Sequence, residues 1–225
     1  MTNKKISLII PCLNEENGLE AVLPTIPKIV NEVIVVDNGS SDKTVEVANK
    51  YGAKVVINPE KGYGLTLRTG FNAAKGDIIV ALDGDNTYPA GEIPKLYKYF
   101  INNKIDLLIA CRFPLKNRKS MEIKNFFGNL FFSSMVSLLF NYPVTDACSG
   151  MWVISKKTWR RLDPRIKSNK WFFSPELKIE AIKDKNIIYD EQWIELSERA
   201  GETKAGNAWV LGLKILFSIL RKRFL

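Results

Sequence analysis

Asp83, Gly84 and Asp85 close the apolar run Ile78-Ile79-Val80-Ala81-Leu82. Two carboxylates one residue apart, leaving a buried strand through a glycine, can share one divalent ion. Hard cations such as Mg²⁺ or Mn²⁺ take oxygen ligands and keep coordination positions open for a substrate's phosphates. An acid–glycine–acid turn also occurs on ordinary surfaces, so the motif must be read with its surroundings. Two more polar segments follow apolar runs in the same way: Pro11-Cys12-Leu13-Asn14-Glu15-Glu16 and Asp37-Asn38-Gly39-Ser40-Ser41-Asp42. Singly they read as helix caps and turns. In a parallel sheet all three would lie at one edge, where ligands of βα chains collect.

The elements that must position these groups alternate along the first half. Charge-poor runs predict strands over 6–10, 33–36, 54–57, 78–82 and 107–111, and helices fall over 15–30, 42–51, 64–75 and 92–102. That alternation predicts an α/β, Rossmann-like, mostly parallel sheet with helices on both faces. After about Arg118 the character changes. No charged residue occurs from Asn125 to Thr145. The apolar stretch over 122–142 is interrupted by Gly128, Asn129, Ser133, Ser134 and Ser137, and is followed by Pro143. It predicts an interfacial helix, with a spanning helix and a core or dimer helix left open. Residues 205–225 end in Arg221-Lys222-Arg223 behind an apolar segment, an amphipathic basic helix suited to an anionic leaflet.

Composition narrows the chemistry. The 225 residues suit one sizeable core, and a net charge of +9 favours anionic partners. Histidine is absent, which excludes a Ser-His-Asp triad, a Cys-His pair, histidine-ligated zinc and an imidazole base. Cys12, Cys111 and Cys148 are scattered and predict packing roles in a reducing, cytoplasmic setting. The first apolar run, ending at Pro11, is too short for a signal peptide. Basic residues are dispersed without a recognisable module, so no nucleic-acid partner is expected.

The order Ile-Pro-x-x-Asn-Glu, Val-Val-Asp-Asn-Gly-Ser-Ser-Asp, Asp-Gly-Asp-Asn-Thr-Tyr-Pro resembles family-two glycosyltransferases of the GT-A fold. It is most similar to the dolichol-phosphate mannose synthase group. Thr145-Asp146-Ala147-Cys148-Ser149-Gly150-Met151-Trp152, Phe173-Ser174-Pro175-Glu176-Leu177 and Glu198-Arg199-Ala200-Gly201-Glu202-Thr203-Lys204 resemble further blocks of that group. The resemblance implies a GT-A domain over 1–204 with an appended helix over 205–225. It implies that Pro11, Asn14, Glu15, Asp37 and Asn38 hold the nucleoside of a nucleotide sugar, and that Asp83 and Asp85 bind Mg²⁺ or Mn²⁺. Arg199 and Lys204 would close over the diphosphate, Arg112 and Lys124 would meet an acceptor phosphate, and Asp146, Ser149, Gly150 and Glu176 would shape the sugar pocket.

The implied activity is metal-dependent, inverting transfer of a hexose from a UDP- or GDP-sugar to a dolichyl or polyprenyl phosphate. A lipid phosphate is already anionic and needs positioning more than a base. A saccharide or protein hydroxyl acceptor remains open, with Asp146 or Glu176 as base, as does a non-catalytic nucleotide-binding scaffold on membranes. Glycoside hydrolysis is disfavoured, because its carboxylates flank the scissile bond and do not share a loop. Many relatives carry Asp where this chain has Asn38. An Asn oxygen suits a single N–H such as uracil's imide, which favours a UDP-sugar. The chain lacks the long transmembrane tail of some members, so peripheral membrane contact would run through its own helices, a second copy or a membrane partner. Single residues keep bland alternatives: Arg112 could pair with Asp106, Arg68 could touch donor or protein, and Trp152, Trp171 and Trp193 could pack or stack on a sugar.

Overall fold

The computed structural model describes residues 4–116, 120–200 and 208–224. Seven strands form one sheet: β1 (Ile6–Cys12), β2 (Glu32–Asp37), β3 (Lys54–Ile57), β4 (Ile78–Ala81), β5 (Leu107–Cys111), β6 (Trp152–Ser155) and β7 (Tyr189–Trp193). Their order is β3-β2-β1-β4-β6-β5-β7. β6 runs antiparallel to both neighbours, and the other pairings are parallel. The helices are α1 (Glu16–Val22), α2 (Thr44–Lys50), α3 (Tyr63–Ala73), α4 (Ile93–Asn102), α5 (Ile123–Phe140), α6 (Lys156–Leu162), α7 (Phe173–Lys183) and α8 (Ala208–Phe224).

The central strands β1, β4 and β5 are buried along their whole length because both faces of the sheet are covered there. Ile6, Leu8, Ile10, Val35, Ile78 and Val80 enter one core. The alternate positions Ile9, Ile34, Val36, Ile79 and Ala81 enter the other. Burying such a side chain is worth roughly 1.5–3 kcal/mol, so packing on the sheet outweighs the propensity of any single helix. The helix expected over 15–30 divides. α1 stops at Val22, a 3₁₀ turn spans Leu23–Thr25, and after the extended Ile26 the chain turns again, with Val30 N donating to Pro27 O at 3.0 Å. Pro24 and Pro27 cause this, since neither has an N–H to give a helix.

α5, α7 and α8 share a third cluster built on Phe132, Val136, Ile179, Ile215 and Ile219. α8 is further tied down by Lys222, whose Nζ lies 2.6 Å from Glu176 Oε1 and 2.9 Å from Glu180 Oε1. α5 buries one face and leaves Ile123, Phe127, Phe131 and Leu138 exposed, while α8 leaves Leu213 and Phe217 exposed. The exposed α5 positions recur at helical spacing and form one stripe. Among the described residues, α5 is the one helix long and apolar enough to cross a bilayer by length and composition.

Candidate active site

A proline sets where the acidic loop leaves the sheet. Ile9 accepts from Leu82 N at 3.2 Å, whereas Cys12 accepts from Asn38 N at 2.9 Å. Alternation along β1 therefore turns the ring nitrogen of Pro11 towards β4. With no N–H to offer there, pairing with β4 ends at Ile9–Ala81, and Asp83-Gly84-Asp85 peels away. α1 packs directly on this turn: a Cβ at Gly18 would lie 2.1 Å from Gly84 O, and one at Gly84 would lie 2.8 Å from Cys12 Sγ.

Asp85 is buried, and its Oδ1 accepts from Thr87 N at 2.9 Å. Arg199 Nη1 lies 2.8 Å from Asp85 Oδ2, and Ala200 N donates to Asp85 O at 2.9 Å. Residues distant in sequence thus meet at the acidic loop. Asp83 Oδ1 accepts from Tyr63 Oη at 2.9 Å. Burial, reinforced by the charge of Asp85, pushes the Asp83 carboxyl up to about 7, the behaviour of two acids competing for one space.

Beside them, Asn14 bridges the ends of β1 and β2. Its N–H donates to Ser40 Oγ at 2.8 Å, and its Oδ1 accepts from Ser41 N at 2.7 Å. Asp37 is buried and accepts from the N–H groups of Gly39 and Ser40 at 3.0 and 3.2 Å. Glu15 flanks α1, its N–H donating to Thr44 Oγ1 at 2.8 Å. Pro11, Asn14, Glu15, Asp37, Asn38, Asp83 and Asp85 therefore gather at the carboxyl ends of β1, β2 and β4. Asn38 has a different task from reading a base. Its Nδ2 donates to Glu60 O at 2.8 Å and its Oδ1 accepts from Gly62 N at 3.0 Å. The side-chain amide is committed to the 58–62 turn, which removes the argument for a UDP-sugar drawn from this position.

The 146–150 segment reaches the same edge from the other side. Asp146 is fully buried and takes a bidentate pair from Arg112, with Nε and Nη2 each at 2.7 Å. The expected alternative, Arg112 with Asp106, does not form; Asp106 instead accepts from Thr158 Oγ1 at 3.2 Å and Ile188 N at 3.0 Å. Burial pushes the Asp146 carboxyl up, but the Arg112 guanidinium outweighs it and holds the group below its usual range. Lys178, which no local sequence pattern singles out, is also buried. Its Nζ donates to the carbonyls of Asp146, Ala147 and Ser149 at 3.1, 2.8 and 3.0 Å. Burial lowers it to about 8, with Asp146 opposing.

Ser149 Oγ donates to Ala110 O at 2.7 Å, and Gly150 N donates to Tyr88 Oη at 2.7 Å. A Cβ at Gly150 would lie 2.3 Å from Asp83 Oδ2. Gly150→Ala is therefore expected to turn the Asp83 carboxylate aside, cutting transfer by roughly a hundredfold, the upper range for a disturbed ligand support. Transfer assays with thermal melts check this; full activity in the variant would refute the contact.

Other expected residues lie elsewhere. Glu176 is buried, but its carboxylate accepts from Lys167 N at 3.0 Å and Ser168 N at 2.7 Å and pairs with Lys222. It anchors a turn and α8 rather than offering a free oxygen to a sugar. Lys124 stands at the exposed start of α5, 2.6 Å from Glu122, and no contact among the described residues ties it to the acidic loop. Arg68 pairs with Asp163 and donates to Ile166 O at 2.8 Å, a purely internal contact. Trp152 is core, Trp193 lies under Lys116 at 4.3 Å, and Trp171 stacks on Tyr63. Lys204 lies outside the described residues. Sequence reasoning missed Tyr63, Tyr88 and Lys178, since single tyrosines and a helical lysine carry no spacing signal.

The donor set suits a hard divalent cation. Among the described residues no group of three or more His, Cys, Asp or Glu side chains gathers as a closed metal cage. Two carboxylates with the remaining positions filled by phosphate and water is the usual arrangement for Mg²⁺. Thr87 Oγ1, two residues beyond Asp85, is buried with no hydrogen-bond partner among the described residues, an uncommitted hard oxygen beside the carboxylates.

The sheet order and the acids at the ends of β2 and β4 agree with what comparison with known proteins shows. Residues 7–162 match Glycosyl transferase family 2, and the chain belongs to that family of enzymes. A dolichyl-phosphate hexose transferase of Haloferax volcanii is 32% identical over 226 residues, covering 97% of this chain and 95% of that one. A UDP-N-acetylglucosamine–dolichyl-phosphate N-acetylglucosaminyltransferase of Methanococcus voltae is 28% identical, covering 98% and 96%. An uncharacterized glycosyltransferase of Mycobacterium tuberculosis is 39% identical over 51% of this chain and 52% of its own length, so the chain spans about half of that relative. Among solved structures, glucosyl-3-phosphoglycerate synthase of M. tuberculosis, in complex with Mn²⁺, UDP-glucose and phosphoglyceric acid, superposes with a TM-score of 0.75. It is 20% identical and covers 97% of this chain and 79% of that one. The fold is GT-A, as the motif order implied.

Proposed function

We propose that the enzyme transfers a hexose, with inversion, from a UDP-sugar to a dolichyl-type phosphate at the cytoplasmic face of a membrane. The observation carrying the acceptor class is the state of the two candidate bases. Both Asp146 oxygens are held by Arg112, and both Glu176 oxygens by Lys167, Ser168 and Lys222. Both carboxylates are weakened as bases by these cationic and N–H partners, whereas an anionic phosphate acceptor needs no base. The names of the H. volcanii and M. voltae relatives support the same acceptor, and the M. voltae name supports UDP.

Asp83 and Asp85 would hold Mg²⁺ or Mn²⁺, which when bound supplies positive charge to the departing diphosphate. Asn14, Glu15 and Asp37 would wall the nucleoside. Arg199, already within 2.8 Å of Asp85, would add its guanidinium to the diphosphate as charge develops. Arg112 would face the acceptor through Nη1, the nitrogen outside its pair with Asp146. Lys124 and Lys204 are weaker candidates for the phosphates. Residues 1–204 would carry the reaction, and α5 and α8 would rest on the membrane.

The test incubates the protein with radiolabelled UDP-glucose, UDP-N-acetylglucosamine or GDP-mannose, together with Mn²⁺ and dolichyl phosphate in detergent. Label extracted into chloroform from a UDP-sugar is the expected result. Label confined to saccharide or protein would refute the acceptor, label from GDP-mannose alone the donor. For the membrane, replacing an exposed stripe residue by a charge, as in Phe127→Asp, should weaken binding to anionic liposomes about tenfold or more, since one such side chain contributes roughly 1.5–3 kcal/mol. Unchanged cosedimentation would remove α5 from the interface.

A further inference from the structure

Tyr63 opens α3 just beyond the 58–62 turn, and the transfer chemistry above makes no use of it. Its hydroxyl donates to Asp83 Oδ1 at 2.9 Å. Its ring lies flat on Trp171, centroids 4.6 Å apart and planes within 12°. A phenol keeps its proton near neutral pH, so the hydroxyl is a donor to this carboxylate.

The support behind this ring is dense. Asn38 fixes the preceding turn through Glu60 O and Gly62 N. Leu65 N donates to Asn169 O at 3.2 Å, joining the start of α3 to the segment that carries Trp171. A Cβ at Gly62 would lie 2.4 Å from Asn169 O, and one at Gly64 would lie 2.6 Å from Phe173 Cβ. The glycines on either side of Tyr63 thus let the two segments touch, and the ring between them has one seat.

We propose that Tyr63, seated by Trp171, is a positioning residue that orients the Asp83 carboxylate for the divalent cation. A carboxylate flanked by another acid at Asp85 would otherwise swing to relieve repulsion, and the phenol holds one of its oxygens in a fixed direction. Hydrogen-bond partners one shell behind a metal ligand typically change metal affinity 10–100-fold. The inference rests on the metal-binding role of Asp83 and Asp85 given above.

Tyr63→Phe keeps the ring on Trp171 and deletes only the O–H. Mn²⁺ titrations of the whole protein with UDP present, followed by electron paramagnetic resonance, should show a Kd about tenfold weaker than in the unaltered protein. The Mn²⁺ concentration for half-maximal transfer should rise by the same factor while kcat at saturating Mn²⁺ stays within about twofold. Trp171→Leu, which keeps the O–H and removes its seat, should weaken Mn²⁺ in the same direction. An unchanged Mn²⁺ Kd in Tyr63→Phe, with or without a lowered melting temperature, would overturn the proposal and leave the metal role standing. Failure of the unaltered protein to bind Mn²⁺ would overturn both.

Discussion

Asp85→Ala is expected to abolish transfer, by roughly a thousandfold or more, while the protein keeps its fold. The size follows from the several kcal/mol that a bound cation contributes to a departing diphosphate, at about 1.4 kcal/mol per tenfold. The fold should survive because the backbone of the turn is held independently of this carboxylate, by Ser197 N to Thr87 O at 3.0 Å and Ala200 N to Asp85 O at 2.9 Å. The side chain loses its bond from Thr87 N and its pair with Arg199, a change of a few degrees in Tm at most. Asp85→Asn preserves an oxygen for Thr87 N and removes only the charge; it should be equally inactive. Label transfer, circular dichroism and Mn²⁺ titration together decide the matter. Turnover within tenfold of the unaltered protein would remove the metal role from this loop.

Asp146→Ala should produce the largest loss of stability, about 3–5 kcal/mol, the usual cost of stranding buried charge. Asp146 is fully buried, its carboxylate paired with Arg112 and its main-chain carbonyl accepting from Lys178. Its removal leaves the buried Arg112 guanidinium without its counter-ion, and Lys178, already lowered to about 8 by burial against the opposing pull of Asp146, would give up its proton more readily still. For a chain of this size the expected fall in Tm is roughly 10 °C. The double variant Arg112→Met, Asp146→Leu should recover much of that loss, because matched apolar replacements of buried pairs are often neutral. Thermal and urea unfolding of both proteins test this; a single variant as stable as the parent would mean the charges are solvated.

What the residues disclosed divides by the reach of the signal. Strands β1, β2, β4 and β5 were legible because burial makes each a nearly continuous apolar run, and β3 because Val55-Val56-Ile57 is a short β-branched run. β7 was not, since Tyr189-Asp190-Glu191-Gln192-Trp193 is a polar edge strand, and neither was β6, which runs straight into α6 with no turn residue to mark its end. The acids of the metal loop were legible from spacing and from position after a strand. The partnership of Arg112 with Asp146 was not, because it joins residues 34 positions apart that no local pattern relates. Asn38 shows the converse limit. Its type suggested a base reader, yet its surroundings make it a brace for a turn. Glu176 likewise reads as a pocket acid until the long-range contact with Lys222 is seen.

Gly18 and Gly84 bring the main chains of the nucleoside wall and the acidic turn into direct touch, with 2.1 Å between a notional methyl and a carbonyl oxygen. No cushion of side chains separates the part that would choose the donor from the part that would drive its departure. Anyone grafting the first loop and helix from a cousin to alter sugar-nucleotide preference must carry that bare α-carbon along, or the graft will jam the machinery it was meant to retune.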